Sequence, residues 1–239
     1  MKKNGTLFLI PTPLAFKGGN LADSLLPEYA NKIKDLQYFV AESAKTARAH
    51  LKGLTKAALQ ELKIEELNEH TPSAKIAELL KPLLKGENVG LVSEAGCPAV
   101  ADPGASLINL CHQKGIRVEP WVGGSSILLA LMASGLNGQR FRFLGYLPAD
   151  SADRAAMIKK IEKESRKNNE TQIFIETPYR NNALLSALVE NCAPKTQICV
   201  ACDLTLPTEC IQTKSAKAWQ TSGFSNDLKN QMAVFLLLG

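Results

Sequence analysis

Three short segments hold the residues best suited to chemistry. The longest is Ser93-Glu94-Ala95-Gly96-Cys97-Pro98-Ala99-Val100-Ala101-Asp102-Pro103-Gly104, directly after the apolar run Val89 to Val92. Small residues at the carboxyl end of a strand let backbone amides and carbonyls approach a ligand, and open α/β sheets bind ligands at that end. The plainer reading is a turn in which Asp102-Pro103-Gly104 caps the next helix. Strand-to-helix connections usually take about 2–6 residues, and this run far exceeds that, so a ligand loop is expected. The second segment, Val122-Gly123-Gly124-Ser125-Ser126, puts two glycines and two hydroxyls at a helix start. Backbone donors there suit a carboxylate or a phosphate, although Ser125 could equally be a simple N-cap. In the third, Glu176-Thr177-Pro178-Tyr179-Arg180, an acid, a hydroxyl and a guanidinium fall within five residues. A turn carrying a surface salt bridge would account for that segment as well.

Several common chemistries lack their residues. His50, His70 and His112 are far apart in sequence and read as surface residues, so neither a histidine metal cluster nor a nucleophile–histidine pair is supported. No G-x-x-x-x-G-K-[ST] phosphate loop and no G-x-G-x-x-G after a strand is present, which argues against the usual nucleotide hydrolases and Rossmann-type enzymes. The six cysteines read as reduced, structural thiols in a chain long enough to fold without bridges. Cys199 and Cys202, three apart on an expected strand, point to opposite faces and cannot share a metal there.

The loops need elements to position them. Leu7–Ile10, Tyr38–Ala41 and Val89–Val92 read as apolar strands, and Ser73–Lys85 as an amphipathic helix with Ile76, Leu79, Leu80, Leu83 and Leu84 on one face. A helix over 106–114, a strand over 117–120 and a helix from Ser126 to Ala133 ended by Gly135 follow. The second half reads as strand 141–147, helix 152–167, strand 172–176, helix 181–191 and late strands at 198–201, 209–213 and 233–238. Such alternation predicts an α/β fold with a mostly parallel sheet covered by helices. A change of domain is placed near Trp121, giving domains 1–120 and 121–239.

Composition agrees with that class. The 239 residues are 45% hydrophobic and 21% charged, enough for a sizeable core in one large or two smaller domains. Neither a membrane-spanning run nor a signal peptide is apparent, so the cytoplasm is expected. Lys and Arg exceed Asp and Glu, 28 against 23; the excess tolerates an anionic partner without identifying one.

Taken in order, these loops resemble the tetrapyrrole methylase superfamily, most closely its branch of ribosomal RNA small-subunit methyltransferase I. The resemblance is carried by Gly5-Thr6-Leu7-Phe8-Leu9-Ile10-Pro11-Thr12-Pro13, Ala41-Glu42, Val89 to Gly104, Ala133-Ser134-Gly135-Leu136, Phe141 to Pro148 and Glu176-Thr177-Pro178-Tyr179-Arg180. The pair Ser93-Glu94-Ala95-Gly96-Cys97-Pro98 and Ala101-Asp102-Pro103-Gly104 is its most specific part. Departures occur where members usually carry a Gly-Asn pair (here Ala15 to Asn20), Asp-Thr-Arg (here Ser43-Ala44-Lys45), Pro-Gly-x-Ser (here Gly123-Gly124-Ser125-Ser126) and Gly-Glu (here Gln231-Met232). With its end at Gly239, the sequence looks like a shorter paralogous subgroup.

The resemblance implies two α/β domains of the tetrapyrrole methylase type, a homodimer, and S-adenosylmethionine held mainly by backbone groups in the interdomain cleft. Carried over by position, the cofactor contacts are Pro11, Ser93, Glu94, Ala95, Gly96, Val100, Ser125, Ser126, Glu176, Thr177, Ala201, Met232, Ala233 and Val234. The implied activity is methyl transfer to a ribose 2′-hydroxyl of a cytidine in small-subunit ribosomal RNA. Hydroxyl methylation needs a base or a placed proton acceptor, for which Glu42 is the first candidate, with Glu176 and Asp102 behind it. Lys45, Arg48, Lys52 and Lys56 recur at helical spacing after Glu42 and would form a basic stripe for RNA phosphates, or merely a solvated face. A methylase of a tetrapyrrole or protein acceptor and a catalytically silent cofactor- or RNA-binding module are the alternatives. No metal is expected.

Overall fold

The computed structural model describes residues 3–14, 21–224 and 227–239. Ala15 to Asn20, one of the departures from the family pattern, lies outside them. The chain divides into two compact units, Met1–Ser125 and Ser126–Gly239.

The first unit contains β1 (Thr6–Ile10), α1 (Leu21–Ser24), α2 (Pro27–Ile33), β2 (Tyr38–Ala41), α3 (Ala44–Leu51), β3 (Lys63–Glu66), α4 (Ser73–Glu78), α5 (Lys81–Leu84), β4 (Val89–Val92), α6 (Ala105–Gln113) and β5 (Arg117–Pro120). Its five strands form a parallel sheet in the order β3-β2-β4-β1-β5. The central strand β4 is buried at all four residues, which is why it is uniformly apolar rather than alternating. One face packs Phe39, Leu51 and Ile33, the other Leu107, Leu83 and Val89. Trp121 stacks on Tyr29 at 4.6 Å and belongs to the first of these cores, together with Phe8 and Phe39.

The second unit contains α7 (Ser126–Ser134), β6 (Phe141–Tyr146), α8 (Ser151–Asn168), β7 (Thr171–Ile175), a 3-10 turn Pro178–Arg180, α9 (Asn181–Asn191), β8 (Gln197–Cys202), β9 (Cys210–Ser215), α10 (Ala216–Ser222) and β10 (Ala233–Leu238). The strand order is β6-β7-β10-β8-β9. Only β6 and β7 are parallel; β10 runs antiparallel to both β7 and β8, and β8 to β9. The expected mostly parallel sheet is thus correct for the first unit and wrong for the second. There β8 turns directly into β9, a short connection that only an antiparallel pair allows.

Two helices also differ from expectation. The stretch read as one helix over 73–85 is two, because Pro82 occupies the first turn of α5 and cannot continue α4. Helix α3 ends at Leu51, so the basic stripe is not one helical face: Lys52 is already its C-cap with ψ 121°, and Lys56 lies beyond it in an ion pair with Asp35 at 2.6 Å. Among the described residues, no helix is long and apolar enough to cross a membrane and no His, Cys, Asp and Glu cluster could hold a metal ion. The six cysteines form no disulfides. Burial pushes the Cys111 thiol up to about 11 and the Cys202 thiol up to about 12, so both stay protonated as packing groups.

Candidate active site

In the first unit the parallel register sets the candidate residues side by side. Ile10, Ala41 and Val92 are matched across β1, β4 and β2, so the residues that follow them, Pro11, Glu42 and Ser93, emerge together at the carboxyl edge of the sheet. Loop-to-loop contacts then fix the loops. Thr12 and Gly96 exchange backbone hydrogen bonds of 2.9 and 3.1 Å. Beneath them the Thr12 Oγ1 and Ser93 Oγ hydroxyls lie 3.1 Å apart, and Ser93 Oγ donates to the Gly96 carbonyl at 2.6 Å. Cys97 Sγ approaches the Gly124 carbonyl at 3.5 Å. A Cβ on Gly123 would lie 2.2 Å from Pro11 Cγ, so glycine is required for the two loops to meet. Gly96 has φ +76°, and its Cβ would come within 3.1 Å of Leu14 Cδ2. The space saved by Gly96 and Gly123 therefore belongs to neighbouring loop residues rather than to a ligand.

Asp102 is the most perturbed carboxyl group of the cluster. Gly104 is the N-cap of α6 at φ +139°, so the segment Asp102-Pro103-Gly104 does start that helix, but Asp102 makes no side-chain cap bond to it. Instead the Asp102 carboxyl lies near enough to Glu42 to feel its negative charge. Burial first, then the negative charge of Glu42, push its pKa up from 3.8 to about 7, against an opposing hydrogen bond from the Ala99 backbone; Glu94 adds a smaller push. Ala99 and Ala101, which flank this turn, hold φ of 62° and 56°. Left-handed backbone at a residue with a Cβ is costly, and such strain concentrates where geometry serves a site. Glu42 is exposed at the end of β2, and Val100 is exposed at 49%.

His50 was missed by the sequence reading. It is half-buried on α3, not a surface residue, and its Nε2 lies 3.2 Å from the Glu94 carbonyl, bracing the long loop from behind. His50 and Glu94 stand 44 positions apart, and nothing in one sequence marks that contact. The departure Ser43-Ala44-Lys45 has a local role as well: Ser43 Oγ accepts from Thr46 N at 3.3 Å and caps α3, while Ala44 N donates to Glu66 Oε1 at 3.0 Å. Lys45 and Lys52 are exposed, and the Arg48 guanidinium donates to the Ala44 carbonyl at 3.4 Å.

In the second unit most of the remaining candidates share one sheet edge. Val234 is paired with both Ile175 and Ala201, and Ala233 with Cys202, so Glu176, Ala201, Met232 and Ala233 converge where β7 and β8 end and β10 begins. The Met232 carbonyl accepts from Asp203 N at 2.9 Å. The Glu176–Arg180 pair is not a surface salt bridge. The Glu176 side chain is 0% exposed, and its Oε1 accepts from Arg180 Nη2 at 2.7 Å, Arg180 Nε at 3.0 Å and Thr177 N at 2.7 Å. Its Oε2 is buried with no protein partner. A carboxylate so engaged is a fixed acceptor, able to receive one further donor through Oε2, rather than a mobile base. Ser126 opens α7, and Ser125 is the residue before it.

The match to known proteins agrees with this architecture. The family model of tetrapyrrole (corrin/porphyrin) methylases covers residues 21–218. "Ribosomal RNA small subunit methyltransferase I" of Escherichia coli O157:H7 is 33% identical over 207 residues, 87% of this chain and 68% of that protein. The protein of the same name from Vibrio cholerae serotype O1 is 33% identical over 206 residues, 86% of this chain and 67% of its own. The crystal structure of the methyltransferase CobJ superposes with a TM-score of 0.62 at 17% identity, covering 100% of this chain and 95% of the other, a likeness of fold. The chain belongs to the tetrapyrrole methylase family, and it is a methyltransferase.

Proposed function

We propose that this chain transfers a methyl group from S-adenosylmethionine to a ribose 2′-hydroxyl of a cytidine in small-subunit ribosomal RNA, and that it works as a homodimer. The acceptor is supported by the relatives, which are named for ribosomal RNA; the chemistry is supported by the Glu42–Asp102 pair at the carboxyl edge of the first sheet. When bound, S-adenosylmethionine supplies a methyl group on a positively charged sulfur. The residues present fit it: Glu176 Oε2 is a buried acceptor with no partner, and the loops around Pro11, Ser93 to Gly96 and Ser125 offer backbone groups for polar contacts. Ser126, Thr177, Val100, Ala201, Met232 and Ala233 complete the proposed contact set. Glu42 takes the proton of the attacking hydroxyl. Asp102 holds a proton close to neutral pH, which limits repulsion between the two carboxyls. Lys45, Arg48 and Lys52 contribute positive charge toward phosphates, though not as one helical stripe.

Mass spectrometry of ribosomal RNA from a strain lacking the gene, looking for one missing 2′-O-methyl group on a small-subunit cytidine, tests the acceptor. An unchanged modification map, with purified enzyme inactive on undermethylated subunits, would remove it and leave a tetrapyrrole or protein acceptor to be sought. Glu42→Gln is expected to lower turnover by roughly 100-fold or more while leaving cofactor affinity nearly unchanged, as loss of a general base does. Light scattering at tens of micromolar tests the dimer.

A further inference from the structure

Beside the edge of the first sheet lies a cavity of about 470 Å³ that the proposed methyl-transfer chemistry does not use. Four elements bring a cation to it: Arg48 from α3, Lys63 from β3, Lys75 from α4 and Lys81 from α5. Two carboxylates, Glu65 and Glu78, also line it, and Glu78 is occupied by Lys81 at 3.2 Å. Lys63 is already held in place: its ammonium donates to the Tyr38 hydroxyl at 3.2 Å and sits 4.8 Å from the centre of that ring. Among the described residues neither Lys63 nor Lys75 has a carboxylate partner within ion-pair distance, although the cavity is rimmed by charge. Leu62, Leu79 and Val89 supply an apolar floor.

Cations on the rim and an apolar floor suit a ligand with a phosphate at one end and a flat, weakly polar body at the other. We propose that this cleft binds a nucleotide of single-stranded RNA a few positions from the acceptor, its phosphate on Arg48, Lys63 and Lys75 and its base or sugar on the floor. The proposal rests on the RNA reading above and extends it. Helix α3 links the cleft to Glu42: it begins two residues after Glu42 and leads about 6 Å along its axis to Arg48, while Lys63 pairs with Tyr38 at the amino end of β2, four residues or about 13 Å of strand from Glu42. A positively charged groove that tracks the backbone binds single strands without reading sequence, and here the apolar floor adds contact area rather than an aromatic stacking platform. The ordered Lys63 has already lost much of the side-chain freedom that binding would otherwise cost.

Fluorescence anisotropy with a labelled single-stranded RNA of about 12 nucleotides, measured against salt with the full chain, tests the cleft. Lys63→Glu with Lys75→Glu is compared with Lys114→Glu with Lys160→Glu, which changes the net charge equally at exposed sites outside the cleft. The cleft variant is expected to bind at least about tenfold more weakly than the control and to lose roughly 1.4 units of salt slope, about 0.7 for each of two phosphate contacts. Equal affinity and slope in the two variants, or no binding by the unaltered chain, would overturn the cleft. Calorimetry with S-adenosylmethionine checks that each variant is folded, and Lys63→Gln with Lys75→Gln, expected to shift binding in the same direction, replaces any that is not. Methylation of undermethylated small subunits by the unaltered chain tests the acceptor separately. Methylation with equal binding by the two variants removes only the cleft, whereas a cleft-dependent affinity without methylation removes only the acceptor.

Discussion

A carboxyl group whose pKa is lifted from 3.8 to about 7, as that of Asp102 is, leaves a signature in stability. The folded state holds the Asp102 proton more tightly than the unfolded chain does, so between these values it binds more protons and its stability falls as pH rises. The contribution is fully present below about pH 4 and is lost as pH passes through about 7. Asp102→Asn removes this slope, so the variant's Tm is expected to gain on the parent's between pH 5 and pH 8; parallel Tm curves would show that Asp102 is not perturbed. Glu176 and Arg180 make a different case, because their burial is unequal: the carboxylate is 0% exposed and the guanidinium 28%. Arg180→Ala strands a charge in the interior, for which about 3–5 kcal/mol is typical. Glu176→Gln leaves the charge on the side that reaches water, and about 1–3 kcal/mol is expected. Denaturant unfolding of both variants checks the order, and a larger loss from Glu176→Gln would contradict it. At this scale the sequence identified the partners but not their environment. It singled out Glu42, Asp102, Glu176 and Arg180 as types and spacings, yet the facing of Asp102 by Glu42, 60 positions apart, depends on strand order, and the burial of Glu176 depends on the antiparallel arrival of β10.

At the scale of elements, what was legible followed from uniform or periodic apolarity. Strands β1, β2, β4 and β10 are apolar runs and were read within a residue, because buried strands need no polar face. The edge strand β3, Lys63-Ile64-Glu65-Glu66, was missed because only one of its four residues is apolar. It pairs with β2 through its backbone, which is indifferent to side-chain type. The same omission hid the cationic cleft, since Lys63 gains a role only once β3 stands beside α4. The loops were recognised by their glycines, but the reason for those glycines is packing, and here two neighbours differ sharply. A methyl group on Gly123 would lie 2.2 Å from Pro11 Cγ, whereas one on Gly124 would make ordinary contacts at 3.6 Å with Leu14. Gly123→Ala must push the β1 and β5 loops apart, and a loss of stability of about 1–3 kcal/mol together with weaker S-adenosylmethionine binding is expected. Gly124→Ala should stay within about 0.5 kcal/mol of the parent. Thermal unfolding and calorimetry on the pair decide the matter, and equal behaviour would mean that the loops do not depend on this approach.

For the whole molecule, the two units are built around separate hydrophobic cores, and this has a measurable consequence. Phe39 is 1% exposed and packs in the first unit with Ile33, Leu51 and Trp121; Phe235 is 0% exposed and packs in the second with Phe174, at a ring separation of 6.1 Å, and Ile158. Phe39 lies on β2, whose end carries Glu42, while Phe235 lies on β10, whose start carries Ala233. Each sheet thus has a buried aromatic on a strand that leads to candidate residues of its own unit. Removing either ring is expected to cost about 3–5 kcal/mol, the usual range for a phenylalanine truncated in a packed core. A domain with its own core can lose stability locally before the rest of the chain unfolds. Hydrogen exchange should therefore show Phe39→Ala raising amide exchange chiefly within residues 6–120 and Phe235→Ala chiefly within residues 141–238. If either substitution raised exchange equally in both units, the cores would be energetically one, and the loops of each sheet would depend on both. Separate responses would mean that the Glu42–Asp102 pair and the Glu176 acceptor can be perturbed independently, so that Phe39→Ala weakens the first and spares the second.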